Sequence, residues 1–389
     1  MKRSAISKQL RVNSMEFRDL KKQYKTLKSE VDSAIQEVID SGAFILGEKV
    51  NELEEKLAEY VGRRHCVAVG NGTDALHLAL KALDIGVGDA VFATDFTYIA
   101  SAVCAYYVGA TPVLVDINER TFNISPEALE LAIQEVLKEG KLKPKVIVPV
   151  DLFGLPADYE RIDAIAKKYN LYVLEDAAQG FGGRIKDKKA CSFGDISTTS
   201  FFPAKPLGCY GDGGAIFTDD ERTAKYLRSI RALGKSPVDK YDNYQIGINS
   251  RLDSLQAAIL LPKFEAFKSY ELDRVNQIAQ RYSKRLKGHL ETPLIPEGYL
   301  SSYAQYTILL ADAKQREKMQ NVLKEKNIPS MIYYPRCMHQ QRVFKELNLK
   351  DEMFPVSTDI VTRCLSLPIG PYLSLEEVDT VADALLASL

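Results

Sequence analysis

One lysine stands between two strand-like runs in the segment 200–214, and this arrangement restricts what the chain can fold into. The flanking runs, 196–202 and 215–218, have the composition of strands, whereas the neighbours of Lys205 are prolines, glycines and small residues. A lysine held in a partly apolar pocket loses its proton more readily and becomes a nucleophile able to form a Schiff base with an aldehyde. The segment therefore predicts a loop between two strands, with Lys205 placed for the chemistry that pyridoxal phosphate requires.

A buried strand is predicted over 171–174, and it is followed directly by Glu-Asp-Ala-Ala-Gln at 175–179. Its continuous apolar run is typical of a strand of a parallel sheet that is buried on both faces. Ligands of open α/β sheets bind at the carboxyl ends of the strands, so Asp176 and Gln179 are candidates for cofactor contacts. A carboxylate facing a pyridine nitrogen keeps that nitrogen protonated, which suits Asp176 to this task and Gln179 to a bond with the ring hydroxyl.

A strand, a glycine turn and a helix are predicted in succession over 66–69, 70–72 and 73–83. Free N–H groups at the start of a helix, together with the positive end of its dipole, bind anions. We therefore expect Gly72 and Thr73 to hold the phosphate of the cofactor. The hydroxyl of Ser200, five residues before the lysine, is a further candidate for the same phosphate.

Strand-like and helical runs alternate through the first part of the chain, which is typical of an α/β protein with a mostly parallel sheet. Strands are predicted at 90–93, 111–117 and 146–150 and helices at 99–108, 126–137 and 158–169. A long helix is predicted over 252–286, with a kink or break at Pro262. We expect an N-terminal extension over 1–14, a large cofactor-binding domain with an N-terminal helical segment over 15–260, and a small C-terminal domain over 261–389.

Composition excludes several classes of protein. Lysine and arginine number 51 against 52 acidic residues, and a net charge of −1 argues against a nucleic-acid binder with a broad basic surface. No apolar run approaches the ~20 residues of a membrane span, and the N-terminus has no signal-peptide core, so we predict a cytoplasmic protein. Six cysteines without a Cys-x-x-Cys pair and four histidines without ligand spacing predict buried thiols and no metal site.

Five motifs carry a resemblance to a known family: GNGTDAL (70–76), EDAAQ (175–179), SFFPAKPLG (200–208), GDGGAI (211–216) and GINSRLD (247–253). In this order they resemble the DegT-type (DegT/DnrJ/StrS) nucleotide-sugar aminotransferases, and the resemblance extends from residue 17 to the C-terminus. It is nearest to the members that aminate C3 of UDP-2-acetamido-2-deoxy-3-keto-glucuronic acid. It implies the aspartate aminotransferase fold (fold type I), with a mostly parallel seven-stranded sheet and a smaller C-terminal α/β domain.

The resemblance also implies a role for each candidate residue. Lys205 would be the Schiff-base lysine and the base that moves the proton. Tyr98 would stack on the pyridine ring. In a homodimer, Asn249 would reach the phosphate and Arg251 a substrate carboxylate in the neighbouring subunit's site. The remaining assignments are Asp176 to the ring nitrogen, Gln179 to the ring oxygen, and Gly72, Thr73 and Ser200 to the phosphate.

Some positions depart from the family pattern. Relatives carry a histidine where Tyr333 stands, whereas Tyr334 matches, and both tyrosines are expected to contact the substrate. His339, five residues after Tyr334, is a further candidate for the substrate. The segment 93–95 lacks the proline-containing turn of relatives, and the segment 231–234 lacks a histidine that is common before its glycine.

The leading hypothesis is a transaminase that takes an amino group from L-glutamate and passes it to a keto group on a nucleotide-linked sugar, in the synthesis of surface polysaccharides such as lipopolysaccharide O-antigen. The alternatives are an aminotransferase acting on a dTDP-linked 3-keto- or 4-keto-6-deoxyhexose, and a regulatory homologue that binds the cofactor without turnover. Within the same fold, the runner-up is a cofactor-dependent sugar dehydratase, but the resemblance implies a histidine in place of the lysine in those relatives, so Lys205 argues against it. A dinucleotide-dependent oxidoreductase would need a third glycine after Gly70 and Gly72.

Ordinary structural roles compete with these assignments. Lys205 could be an exposed loop lysine, Asp176 a helix cap and Tyr98 a core aromatic. Asn249 and Arg251 could form a simple turn with a salt bridge.

Overall fold

The computed structural model describes residues 15–239 and 241–389, so the expected extension over 1–14 lies outside the described residues. Within residues 15–64, three helices precede the first strand: α1 (Leu20–Thr26), α2 (Lys28–Ser41) and α3 (Glu48–Val61). Both α2 and α3 end at a glycine in the left-handed conformation, Gly42 (φ 65°) and Gly62 (φ 82°). A glycine ends a helix in this way because it has no Cβ to clash with the following carbonyl.

Most of the strands belong to one sheet, as the β-α alternation predicts. In chain order the strands are β1 (His65–Val69), β2 (Asp89–Thr94), β3 (Thr111–Val115), β4 (Lys143–Val148), β5 (Tyr172–Asp176), β6 (Arg184–Ile185), β7 (Lys188–Lys189), β8 (Ile196–Ser200), β9 (Gly214–Thr218), β10 (Tyr299–Leu300), β11 (Tyr306–Leu309) and β12 (Cys364–Leu367). Seven of them form a sheet in the order β1-β9-β8-β5-β4-β2-β3. Only β9 runs against its neighbours, so the expected mostly parallel seven-stranded sheet is confirmed.

Helices connect the strands and continue into the C-terminal part. They are α4 (Gly72–Ala82), α5 (Ala100–Tyr107), α6 (Pro126–Glu139), α7 (Tyr159–Tyr169), α8 (Glu221–Ile230), α9 (Ser254–Ala266), α10 (Leu272–Leu286), α11 (Ala313–Glu325), α12 (Pro355–Arg363) and α13 (Leu375–Leu386). The predicted helices at 99–108, 126–137 and 158–169 are therefore confirmed as α5, α6 and α7. Among the described residues, no helix has both the length and the apolar character needed to cross a bilayer.

The large sheet is covered by helices on both faces. Successive residues of β2 show this, because Val91 packs with α4 and α5 whereas Phe92 packs with α6 and α7 on the opposite face. Such burial on both faces explains why residues 90–93 of β2 form an unbroken apolar run instead of alternating with polar residues. At the β1 edge, Phe217 packs with Leu53 of α3 and Phe264 of α9.

A second apolar cluster lies in the C-terminal part and includes Val275 of α10 and Leu385 of α13. It surrounds the antiparallel pair β11 and β12. The expected division after residue 260 falls within α9, whose Leu260 packs in the cluster of the large sheet, and it stays a prediction.

The predicted long helix over 252–286 is confirmed, but it has no break at Pro262. Helix α9 continues through Pro262, and a π-helical stretch, Phe267–Glu271, follows before α10. Buried neighbours such as Leu261 and Phe264 hold this turn of the helix in place although the proline removes one backbone hydrogen bond.

Candidate active site

A cavity of about 460 Å³ lies where several strands of the sheet reach their carboxyl ends. Asp176 ends β5 and Ser200 ends β8, and the loops after β1, β2 and β4 supply further walls. Residues of these loops meet here because parallel strands end at a common edge. The cavity is lined by nine of the residues expected at the site: Gly72, Thr73, Tyr98, Asp176, Gln179, Ser200, Lys205, Tyr333 and Tyr334.

One end of the cavity is formed by the start of α4. The Asn71 side chain caps this helix by accepting a hydrogen bond from the backbone N–H of Asp74 at 2.8 Å. The first N–H groups of a helix have no partner within it, and Gly72 and Thr73 line the cavity at that point. A side chain at Gly72 would collide with Ser200, because a Cβ there would lie 2.7 Å from the Ser200 Cβ. Glycine thus lets Ser200 lie close to the helix start, which brings N–H and hydroxyl groups together in a cradle that suits a phosphate.

Asp176 presents a buried carboxylate to the cavity. Its Oδ2 accepts a hydrogen bond from the Ser101 hydroxyl at 2.7 Å, and its Oδ1 accepts one from the backbone N–H of Ala178 at 3.1 Å. Burial raises the pKa of Asp176, and these hydrogen bonds and the charge of Lys205 oppose the rise. A buried acceptor of this kind gains most from a cationic donor such as a protonated pyridine nitrogen.

Lys205 lies half-buried in the loop after β8, where its backbone N–H donates to the carbonyl of Phe202 at 2.8 Å. Burial lowers the pKa of its amine to about 8, with the carboxylate of Asp176 opposing and the charge of Arg18 adding to the shift. A substantial fraction of the amine is therefore neutral near pH 8, which is the nucleophilic form. The alternative of an ordinary exposed loop lysine is wrong, because the side chain lines the cavity.

Gln179 is held in one orientation by bonds at both ends of its amide. Its Oε1 accepts from the backbone N–H of Phe153 at 2.8 Å, and its Nε2 donates to the hydroxyl of Tyr334 at 3.0 Å. An amide nitrogen carries two hydrogens, so the second is available to an acceptor in the cavity. The ring of Tyr334 lies 6.5 Å from that of Tyr98, whose side chain is 56% exposed and therefore not a core aromatic.

These features fit pyridoxal phosphate, because an anion cradle, a buried carboxylate and a lysine of lowered pKa line one cavity. The comparisons with known proteins agree. The model of the DegT/DnrJ/EryC1/StrS aminotransferase family matches residues 25–386. The chain belongs to this family.

Individual relatives cover nearly the whole chain. The UDP-2-acetamido-2-deoxy-3-oxo-D-glucuronate aminotransferase of Pseudomonas aeruginosa is 42% identical over 372 residues, which are 95% of this chain and 99% of that protein. Among solved structures, a DegT/DnrJ/EryC1/StrS aminotransferase from Brucella abortus superimposes with a TM-score of 0.93 at 44% identity, over 96% of this chain and 99% of its own. NtdA from Bacillus subtilis with bound cofactor PMP gives a TM-score of 0.83 at 29% identity, over 92% and 81%.

The expected family, the fold type and the transaminase class are confirmed by these matches. The expected cofactor is confirmed for the family, because the chain matches the family model and is similar to NtdA, whose structure contains PMP. The roles of single residues stay predictions.

Three of the expected site residues lie outside the cavity of their own chain. Asn249 is exposed, and its Oδ1 accepts a hydrogen bond from Nε of Arg251 at 3.0 Å. His339 is buried, and its ring nitrogens are each 2.8 Å from a carboxylate oxygen, of Asp95 and of Asp351. The ring of His339 therefore has no nitrogen free to contact a substrate, although the residue is close to Tyr334 in sequence.

The sequence interpretation missed two residues that act on the site. Ser101 bonds the carboxylate of Asp176, and its place two residues into α5, just after the loop that follows β2, was the available signal. Arg18 lowers the pKa of Lys205, and its Nη1 is buried without a hydrogen-bond partner among the described residues. No local sequence pattern around Arg18 predicts its effect on Lys205, because that effect depends on how the N-terminal segment packs. The ring of the neighbouring Phe17 lies 6.1 Å from that of Tyr333, which brings this segment to the cavity.

Proposed function

We propose that this chain transfers an amino group from L-glutamate to the C3 keto group of UDP-2-acetamido-2-deoxy-3-keto-glucuronic acid. The observation that carries the proposal is the amine of Lys205, with its pKa lowered to about 8, in one cavity with the buried carboxylate of Asp176. The sugar is supported by the relative from Pseudomonas aeruginosa, which is 42% identical over 95% of this chain. Pyridoxal phosphate, when bound, supplies an electron-withdrawing ring that stabilises negative charge on the carbon that loses its proton.

The residues of the cavity divide the work by position. Gly72, Thr73 and Ser200 would hold the phosphate, because they form the cradle at the start of α4. Asp176 would keep the ring nitrogen protonated, and the free N–H of Gln179 would donate to the ring oxygen. These assignments leave Lys205 as the group that attaches the cofactor and moves the proton at its Nζ.

Two subunits would share each site in a homodimer. Asn249 and Arg251 are outside the cavity of their own chain, so they are available to another one. The loop between α2 and α3 supports the same idea, because it exposes Phe44 (46%), Ile45 (47%) and Leu46 (36%) side by side. Contiguous exposed apolar groups mark interaction surfaces. The planar guanidinium of Arg251 would bind the carboxylate of the sugar acid through two parallel hydrogen bonds, in bidentate geometry.

We also propose that the protein works in the cytoplasm, in the synthesis of amino sugars for surface polysaccharides such as O-antigen. All six cysteines are free and buried, as predicted, and thiols of this kind suit a reducing compartment.

The position of Tyr333 in the cavity favours a second candidate substrate. Tyr333 lines the cavity in place of the histidine of relatives, so the sugar could be a dTDP-linked 3-keto- or 4-keto-6-deoxyhexose instead. The purified protein should be incubated with L-glutamate and with UDP- and dTDP-linked 3-keto and 4-keto sugars, and the products identified by mass spectrometry and NMR. Amination of the UDP-linked 3-keto acid at C3 supports the proposal, whereas amination of only the dTDP-linked sugars contradicts it. Cofactor colour that does not bleach with glutamate would indicate a regulatory homologue.

Mixing two inactive variants tests the shared site. Lys205→Ala and Arg251→Met should each be inactive alone on the sugar acid, but hybrid dimers would contain one intact site and regain part of the activity. If subunit exchange is confirmed by mass spectrometry and no activity returns, Arg251 does not act across an interface.

A further inference from the structure

A buried ion pair joins two segments of the chain behind the cavity. The carboxylate of Asp95 accepts two hydrogen bonds from one residue: Oδ1 from the backbone N–H of His339 at 2.8 Å, and Oδ2 from its ring Nδ1 at 2.8 Å. The carbonyl of Asp95 also accepts from the backbone N–H of Met338 at 2.7 Å. The side chains of Asp95 and His339 are 0% and 2% exposed, so water cannot replace either partner.

The contacts of His339 favour the charged form of its ring. Its Nε2 lies 2.8 Å from Oδ1 of Asp351, and ionised carboxylates only accept, so the two contacts suit a ring that carries a proton on each nitrogen. Burial alone would lower the pKa of His339, but the bonds to Asp95 and Asp351 raise it. Phe354 stacks on the ring at 4.6 Å. The thiol of Cys337 is close enough for one ion to reach it together with Asp95 and His339, but the carboxylate and the ring nitrogen are already paired with each other.

Each of the two partners is close in sequence to an aromatic residue that lines the cavity. Asp95 follows β2 directly and precedes Tyr98 by three residues, whereas His339 follows Tyr334 by five. The rings of Tyr98 and Tyr334 both line the cavity, 6.5 Å apart. A bond between Asp95 and His339 therefore limits how far these two rings can separate.

We propose that Asp95 and His339 form a positioning pair that sets the spacing of Tyr98 and Tyr334, and with it the wall against which cofactor and sugar bind. The consequence for turnover rests on the proposed function, but the coupling of the two segments does not. The exposed Asp351, at 59%, is a weaker partner, because water can replace it. The positioning effect therefore depends on the hydrogen bond between Nδ1 of His339 and the carboxylate of Asp95.

Two substitutions of His339 by amide residues distinguish the contribution of Nδ1 from that of Nε2. His339→Asn places an N–H donor near the position of Nδ1 and keeps the bond to Asp95, whereas His339→Gln places its donor near Nε2 and loses that bond. In the protein without substrate, hydrogen–deuterium exchange of the amides at 338 and 339 should be near wild type for His339→Asn and faster by about tenfold or more for His339→Gln. With L-glutamate and the sugar, kcat should follow the same order, with the cofactor still bound in both variants.

If the amides at 338 and 339 exchange equally fast in wild type and in both variants, the two segments are not coupled through His339. If both variants lose protection of these amides to the same extent, the bond at Nδ1 has no special role. Bound zinc found by elemental analysis would replace the ion pair with a metal site and also overturn the proposal. If His339→Gln does not fold, Asp95→Asn tests the same bond, because its amide can donate to a neutral Nδ1. It should keep slow exchange while the pKa of His339 falls, as seen by NMR of the ring. Changed exchange without changed kcat would refute the catalytic consequence alone, and a wild-type protein inactive on all sugars would refute only the proposed function.

Discussion

A Cβ on Gly72 would lie 2.7 Å from the Cβ of Ser200, closer than two carbon atoms approach without a shift of the backbone. Gly72 begins α4 and Ser200 ends β8, so the end of the strand can approach the start of the helix this closely only because residue 72 has no side chain. This close approach places the Ser200 hydroxyl beside the first N–H groups of α4, and together these groups form the proposed phosphate cradle.

We predict that Gly72→Ala weakens binding of pyridoxal phosphate by about tenfold or more, because the added methyl group pushes Ser200 and the helix start apart. Titration followed by absorbance measures the affinity. Gly86→Ala is the matched control, since the nearest atom to a Cβ there is 3.8 Å away. Equal affinity for both variants would contradict the cradle.

Among the residues that the structure describes, Lys205 and Lys263 have a pKa lowered to about 8 by burial, and of these two Lys205 lines the cavity whereas Lys263 does not. Lys263 is 1% exposed and packs over the ring of Tyr210 at 4.6 Å. We predict that borohydride in the presence of pyridoxal phosphate labels Lys205 and not Lys263, as read from peptide masses. The labelling rate should rise with pH up to about 8 and level off above it, because only the neutral amine reacts.

Lys205→Ala should lose both the label and the turnover. Label on Lys263 in the wild-type protein, or full turnover by Lys205→Ala, would contradict the assignment of the reactive lysine.

Asp176 and Ser101 should differ in how much they contribute to the half-reaction with L-glutamate. Asp176→Asn removes the charge that keeps the ring nitrogen protonated, and we expect the single-turnover rate to fall by about a hundredfold or more. Ser101→Ala removes one hydrogen bond to that carboxylate and should cost only several-fold. The bleaching of cofactor absorbance on adding glutamate gives both rates. A rate for Asp176→Asn within a few-fold of wild type would remove Asp176 from its proposed role.

Arg231 and Glu54 form a buried ion pair, at 5% and 6% exposure, which also bonds both backbone groups of Ala68. We predict that Glu54→Ala lowers the free energy of unfolding by about 3–5 kcal/mol, because it leaves an uncompensated buried charge. Urea unfolding measures the change. The double variant Glu54→Leu with Arg231→Met should lose less than Glu54→Ala, since no charge remains buried.

An exposed pair gives the comparison for that prediction. Glu221→Ala removes the partner of Lys225 on the surface of α8 and should change stability little. A similar effect of Glu54→Ala and Glu221→Ala would mean that the pair of Arg231 and Glu54 contributes no more than a surface contact.

Short motifs were sufficient to predict much of the site. The turn before α4, the acidic residue after β5 and the lysine after β8 each combine a local backbone conformation with the side chain that the chemistry needs. Because parallel strands end at one edge, these motifs had to meet, and the cavity contains Gly72, Asp176 and Lys205 together.

Contacts between distant segments could not be predicted in this way. His339 is five residues from Tyr334, which suggested the substrate, yet its ring is held by Asp95, 244 residues away in sequence. Ser101 reaches Asp176 across 75 residues for the same reason. Their roles depend on side-chain packing after the sheet has formed.

The amino-acid sequence by itself determined the α/β class, the three cofactor motifs and the chemistry that they permit, because hydrophobic periodicity and turn residues act over a few positions. The tertiary structure alone decided that the pKa of Lys205 falls to about 8 and that Gln179 is fixed between Phe153 and Tyr334. It also placed Arg251 outside its own cavity. Burial and hydrogen bonding are properties of neighbours in space, and only the folded chain brings those neighbours together.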